Sequence, residues 1–205
     1  MTTITSYAEL KQNIQDYAKR SDILNKLELF IDLAEADIWE VLRVREMEAR
    51  AQATMNTTSR FETLPDQFIK MRKMQILVND CFYDMNWKDI KNMQVLDTAG
   101  VPFEYTVTSE LQFNRVADQA YTLEMEYYRE LTPLSDLYPA NDVLRYYPMV
   151  YLSGCMVHFS EWAIMPDKVQ YWASIFDREI SRANRKSRQG RYGPAPASSV
   201  QGMIV

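Results

Sequence analysis

The stretch LRVREMEARAQATM, Leu42 to Met55, carries two different periods. As far as Arg45 the apolar residues continue a helical spacing, whereas from Glu46 polar and apolar residues alternate: Glu46, Glu48, Arg50, Gln52 and Thr54 against Met47, Ala49, Ala51, Ala53 and Met55. No Gly or Pro marks the change. Glu, Met and Ala favour helix, but propensity is the weaker guide where a two-residue period runs on into TMNTTSR. The alternation predicts a strand from Met47 to Ser59, so the chain leaves a helix for a sheet in mid-phrase.

Upstream, Ser6 and Glu9 form the S-x-x-E pattern of a capping box, and Tyr7, Leu10, Ile14 and Tyr17 follow at helical spacing. A first helix from Tyr7 to Lys19 is expected, then a break at Arg20, Ser21 and Asp22. A second periodic run through Leu27, Phe30, Ile31, Ala34, Ile38, Val41 and Leu42 predicts a helix to about Arg43, antiparallel to the first.

Downstream, FETLPDQFIKMRKMQILV reads as a short strand, a turn at Pro65 and Asp66, and a strand from Ile69 to Val78. CFYDMN is a further short strand, and Trp87 to Val95 a small helix. EYTVTSE, ELQFNRV and AYTLEMEYYREL then read as three closely spaced strands of an antiparallel meander. PLSDLYPAND is punctuated as a loop. YPMVYLSGCMVHFSEWAI is apolar nearly all round, as a buried central helix would be. Pro166 suits the first turn of a last helix with Trp172, Ile175, Phe176 and Ile180 inward.

The expected fold class is α+β, mainly α. A helical pair at residues 1–45 and another at 131–188 complete a four-helix bundle, an antiparallel β-subdomain is inserted at 46–130, and an extended docking tail occupies 189–205.

The chain has 205 residues, 47% apolar and 25% charged, as in an ordinary globular protein. A net charge of −5 argues against a surface that grips nucleic acid all over, and leaves room for a local basic patch. The N-terminus lacks the basic and apolar regions of a secretory signal, and no 18-residue apolar run suggests a membrane span. Only five glycines are present, with no phosphate-binding or dinucleotide fingerprint. Cys81 and Cys155 read most simply as buried free thiols, a disulfide between them being the alternative.

Chemistry-bearing residues are sparse. His158, the only histidine, lies in the most apolar helix three residues from Cys155 and reads as a satisfied core histidine. With two distant cysteines there is no zinc spacing, and no metal or cofactor is expected. Glu46 and Glu48, and Glu124 and Glu126, form same-face pairs on strands, which read as solvated faces rather than acid–base machinery. Arg178, Arg182, Arg185, Lys186, Arg188 and Arg191 put six cations into fourteen positions at the end of the last helix. Such a run suits phosphate or an acidic protein partner, or complements the helix dipole. Beyond it GPAPASS is linker-like and QGMIV is a short apolar plug.

The segments SYAELKQNIQDYAKRSD, LAEADIWEVLRVREMEARA, LPDQFIKMRKMQI, YTLEMEYYRELTPLSD and YPMVYLSGCMVHFSEW, in this order and spacing, resemble the head-to-tail adaptor proteins of short-tailed bacteriophages. The resemblance runs from about residue 5 to 188. It implies a structural virion protein without catalysis, made in the bacterial host cytoplasm and built into the neck. There a homo-oligomeric ring, commonly of twelve copies, links portal protein to tail nozzle protein. Double-stranded DNA passes through its channel without specific binding, and no membrane is involved. By analogy the C-terminal region meets the portal, through Arg178, Arg182, Arg185, Lys186, Arg188, Arg191, Tyr192, Met203, Ile204 and Val205. The β-subdomain is then the tail platform, with Glu46, Glu48, Arg50, Glu124 and Glu126. Competing readings are another tail or nozzle protein, a DNA-binding protein using the basic helix end, and a small hydrolase built on His158.

Overall fold

A computed structural model describes residues 4–190 of the chain. It divides into a helical unit, made of the chain up to Glu46 and from Thr132 onward, and a sheet unit, Met47–Leu131.

In the helical unit, α1 spans Tyr7–Ala18 and α2 spans Leu27–Val41. The Ser6 hydroxyl caps α1 by accepting from Glu9 N at 3.3 Å, and the Glu9 carboxylate accepts from Thr5 N and Thr5 Oγ1 at 2.7 and 2.8 Å. The capping-box residues therefore act, with the reciprocal bond displaced one residue outward. Asp142–Tyr146 forms the short α3, capped by Asn141 Oδ1 accepting from Leu144 N at 2.9 Å. Tyr147 leaves helical geometry and Pro148, which lacks an N–H, restarts the chain as α4, Pro148–Trp162. The last helix, α5, spans Pro166–Gln189. α4 is the hub, packing against α1, α2 and α5. Tyr151, Leu152, Cys155 and Met156 on α4 are buried, together with Phe30, Ile31, Ala34 and Ile38 of α2. Gly154 lets the helices close in, since a Cβ there would lie 3.1 Å from Ala34 Cβ and 3.2 Å from Phe176 Cε2.

The change of period after α2 has a specific cause. Leu42 is extended and buried, Val44 is buried, and Arg43 between them turns back over the helix end. Its guanidinium donates to Trp39 O and Glu40 O, both at 2.8 Å, satisfying carbonyls that a glycine cap would otherwise serve. The extended backbone is then held by α5: Arg43 N donates to Asn184 Oδ1 and Arg45 N to Ser187 Oγ, each at 2.8 Å. A one-turn 3-10 helix, Arg45–Met47, follows.

The sheet unit contains β1 (Glu48–Thr54), β2 (Phe61–Glu62), β3 (Phe68–Val78), β4 (Cys81–Asp84), β5 (Asn86–Trp87), β6 (Glu104–Val107), β7 (Leu111–Phe113) and β8 (Thr122–Arg129). They form two four-stranded sheets, β1-β8-β3-β4 and β2-β7-β6-β5. Met74, Ile76, Leu123, Met125 and Tyr127 of the first sheet share one core with Tyr105, Leu111 and Phe113 of the second. The β3–β4 hairpin turns through Asn79 and Asp80, both at positive φ (50° and 60°), as a two-residue turn of this kind requires.

Several expectations are corrected. The molecule is not a mainly-α four-helix bundle: the described residues hold five α-helices and eight strands, and the strands build a core of their own. Nor is the β-region an antiparallel meander. β6 and β7 form a hairpin in one sheet, while β8 lies at the centre of the other between β1 and β3, because its large inward residues meet Ala49, Ala51 and Ala53 on one side and Met71, Met74 and Ile76 on the other. β5 pairs with β6 in parallel. The helix expected near Trp87–Val95 is a single turn, in which Asp89 Oδ1 accepts from Lys91 N at 2.9 Å and competes with helix growth. α3 is an additional short helix, falling almost wholly in VLRY between the expected loop and the expected central helix, where no element is expected. Cys81 is an exposed free thiol at the start of β4, whereas Cys155 is free and buried.

Candidate functional site

On the helical unit the described cations of the basic run, Arg178, Arg182, Arg185, Lys186 and Arg188, are all exposed on α5. At about 100° per residue they fall within roughly half of the helix circumference. That arc lies away from the side carrying the buried Trp172, Ile180, Ala183 and Ser187. Glu179 is the acid inside the run, 3.3 Å from Arg178 Nε and 3.8 Å from Arg182 Nη1. Arg182 and Lys186 also border a cleft of about 300 Å³, with Tyr146, Tyr147, Met149, Val150, Glu179 and Ala183 in its lining. Lys186 Nζ lies 5.4 Å above the Tyr147 ring. Burial, and the neighbouring Glu46 carboxylate, push the Tyr147 hydroxyl above its ordinary range, so the cleft holds a neutral phenol beside two cations. Tyr146, Tyr147 and Met149 had no sequence signal of their own beyond their place around Pro148. Arg191, Tyr192, Met203, Ile204, Val205 and most of the expected docking tail lie outside the described residues.

On the sheet unit, the polar face of β1-β8-β3-β4 is a ladder of charge. Arg50 Nη2 lies 2.9 Å from Glu126 Oε1, Arg72 Nη1 2.7 Å from Glu48 Oε2, and Lys73 Nζ 3.3 Å from Asp84 Oδ1. Glu124 stands opposite Gln52 on one side and Gln75 on the other. Glu48, Arg50 and Glu126 line one open cleft of about 350 Å³ with Arg72. Arg72 was missed because strict alternation would turn it inward. Pairing with β8 shifts between Met71 and Lys73, so Arg72 is the extra residue of a bulge. The three-residue step from Met71 to Met74, in a run that otherwise alternates, was the available sign. Glu46 does not join this surface. It belongs to the helical unit, where its carboxylate lies 3.1 Å from Arg45 Nε and accepts from Tyr147 OH at 3.4 Å.

Neither surface resembles a catalytic site. His158 is not in the core as expected but partly buried, bridging Asp37 Oδ2 at 2.9 Å and Glu161 Oε2 at 3.4 Å. Cys155 is buried and desolvation pushes its thiol far up, so the adjacent sulfur is an inert one. Among the described residues no group of three or more His, Cys, Asp or Glu could hold a metal ion, and no helix is long and apolar enough to cross a membrane.

One polar node is internal. Glu35, on the buried face of α2, accepts from Leu134 N at 2.9 Å and Tyr151 OH at 2.8 Å, and Asn141 Nδ2 donates to Tyr151 OH at 2.7 Å. It ties α2, α4 and the returning chain together, and its sequence trace was an acid amid Ile31, Ala34 and Ile38.

The profile of the SU10 adaptor protein family matches residues 5–199, nearly the whole chain. The chain belongs to the SU10 adaptor protein family. No curated protein matches it. As a member of this adaptor family it has a structural role in a phage particle, in agreement with the resemblance carried by its motifs. The surfaces of this adaptor, rather than an enclosed pocket, are then where its function is to be sought.

Proposed function

We propose that this adaptor forms a closed ring, of twelve copies as in comparable phages, in the neck of the virion, joining the portal to the tail nozzle around the DNA channel. The observation that carries the reading is the presence of two different polar surfaces, one on each unit. An exposed cationic arc on α5 continues toward the C-terminus, and a balanced ladder of ion pairs covers the sheet. Excess cations at the end of α5, Arg185 and Arg188 foremost, suit an acidic surface of the portal, with the residues after Gly190 extending that contact. The ladder of Glu48, Arg50, Glu124 and Glu126 suits a tail component, because paired charges specify a partner more than they attract one indiscriminately. The net charge of −5 per chain disfavours capture of passing DNA.

The test is the mass of the purified full chain, alone and mixed with its portal ring, against a chain ending at Gln189. Full-length protein should join the portal in fixed stoichiometry and the shortened one should not. If neither binds, the adaptor–portal assignment fails.

A further inference from the structure

α2 carries a face that is exposed among the described residues. Leu29 and Leu33, one turn apart, are 46% and 42% exposed, and Ala36 and Glu40 continue the line. Glu28 and Asp32 border it, both exposed and neither in an ion pair among the described residues. Their field is felt nearby: the Tyr7 hydroxyl is pushed up to about 12, by burial first and then by Glu28 and Asp32. The face is thus apolar along its middle and acidic along its edge.

The α5 cleft has the opposite character. Met149, Val150 and Ala183 supply an apolar lining, Tyr146 stands at one side, and Arg182 and Lys186 carry cations along the rim, with Glu179 offsetting part of that charge. Glu28 and Asp32 are four residues apart, as are Arg182 and Lys186. On helices this spacing places each pair about 6 Å apart on one face, so two helices packed side by side align both ion pairs at once.

We propose that α2 of one copy seats against the α5 cleft of the next, with Leu33 entering the cleft and Glu28 and Asp32 meeting Arg182 and Lys186. This rests on the ring reading above and names the faces that close the ring. The contact joins two different surfaces of the same chain, so each copy keeps one face free for a further neighbour, as a head-to-tail assembly requires. Arg185 and Arg188, on the other side of the α5 arc, remain free for a different partner.

Two charge-reversed full-length chains test it: Glu28→Lys with Asp32→Lys, and Arg182→Glu with Lys186→Glu. All four sites are exposed, and circular dichroism establishes that each variant is folded. The wild-type mass, alone and on portal, is read first. Wild type that never assembles in either condition overturns the ring reading, and this contact with it. Where wild type assembles, each variant alone should need at least a tenfold higher concentration to do so. An equimolar mixture should recover, because reversed α2 meets reversed α5 when the two kinds alternate around a ring. Assembly of both variants at the wild-type concentration, or failure of the mixture to recover, overturns the contact and leaves the ring standing. So does a cleft variant that self-assembles normally but loses portal binding, since the cleft then belongs to the portal.

Discussion

Burial holds the Glu35 carboxyl above the usual glutamate range, outweighing the hydrogen bonds from Leu134 N and Tyr151 OH that act in the other direction. A raised folded-state pKa contributes stability that is complete below the unfolded value and is lost as pH rises through the folded one. Glu35→Gln keeps an acceptor for both donors and has no charge to bury. Its melting temperature should exceed that of wild type by a margin that widens from pH 4 to pH 8, and a margin independent of pH would refute the assignment. Glu35→Ala strands both donors in a cavity and should cost about 2–4 kcal/mol in denaturant unfolding. Ile164 is the opposite kind of residue. It is 86% exposed and holds φ at 55°, a conformation costly for a β-branched side chain. Ile164→Gly should therefore stabilise the turn between α4 and α5 by about 0.5–1 kcal/mol, and a lower melting temperature would contradict this.

At the scale of elements, the bulge at Arg72 makes an unusual prediction about deletion. Removing Arg72 leaves Met71 next to Lys73 and restores strict alternation, with Met71, Met74 and Ile76 still inward. The fold should survive at a cost of about 1 kcal/mol, the size of a lost partly exposed ion pair. Removing Gln75 instead sets Met74 and Ile76 on opposite faces, and soluble folded protein should not be recovered. In α4, a helical glycine would ordinarily be improved by a larger side chain, but Gly154→Leu meets Ala34 and Phe176 and should destabilise by about 3 kcal/mol or more. The lesson for reading the sequence lies in the same elements. α1, α4 and α5 were legible because caps, prolines and apolar periods agreed. β8 was legible as a strand but not in its place, since alternation fixes which face is buried and says nothing of which neighbour pairs. The exit from α2 was visible as a change of period, but the period changes at Arg45 whereas the helix ends at Val41, and its cause was not visible: Arg43 turns back on α2, while Asn184 and Ser187, more than 140 positions away, hold the extended backbone.

For the whole molecule, the candidate surfaces were legible only in part. The basic run announced itself by density, and the leucines of α2 did not, because an amphipathic helix and one exposed on two sides carry nearly the same pattern until the packing is known. The division into units also bears on how the protein is made. The sheet unit is continuous, Met47–Leu131, whereas the helical unit is assembled from both ends of the chain around α4. During synthesis α1 and α2 emerge first and have no hub to fold on until Trp162 has left the ribosome, on the order of ten seconds later at ordinary translation rates. The sheet core, finished sooner, can settle in that interval. Arrested chains with β8 outside the ribosome and α4 still inside it should show Leu123 and Met125 shielded from protease while α2 is still cut. A nascent subunit therefore acquires its faces in order, and since those built on α4 and α5 come last, the contact proposed between α2 and α5 cannot join unfinished copies on one messenger.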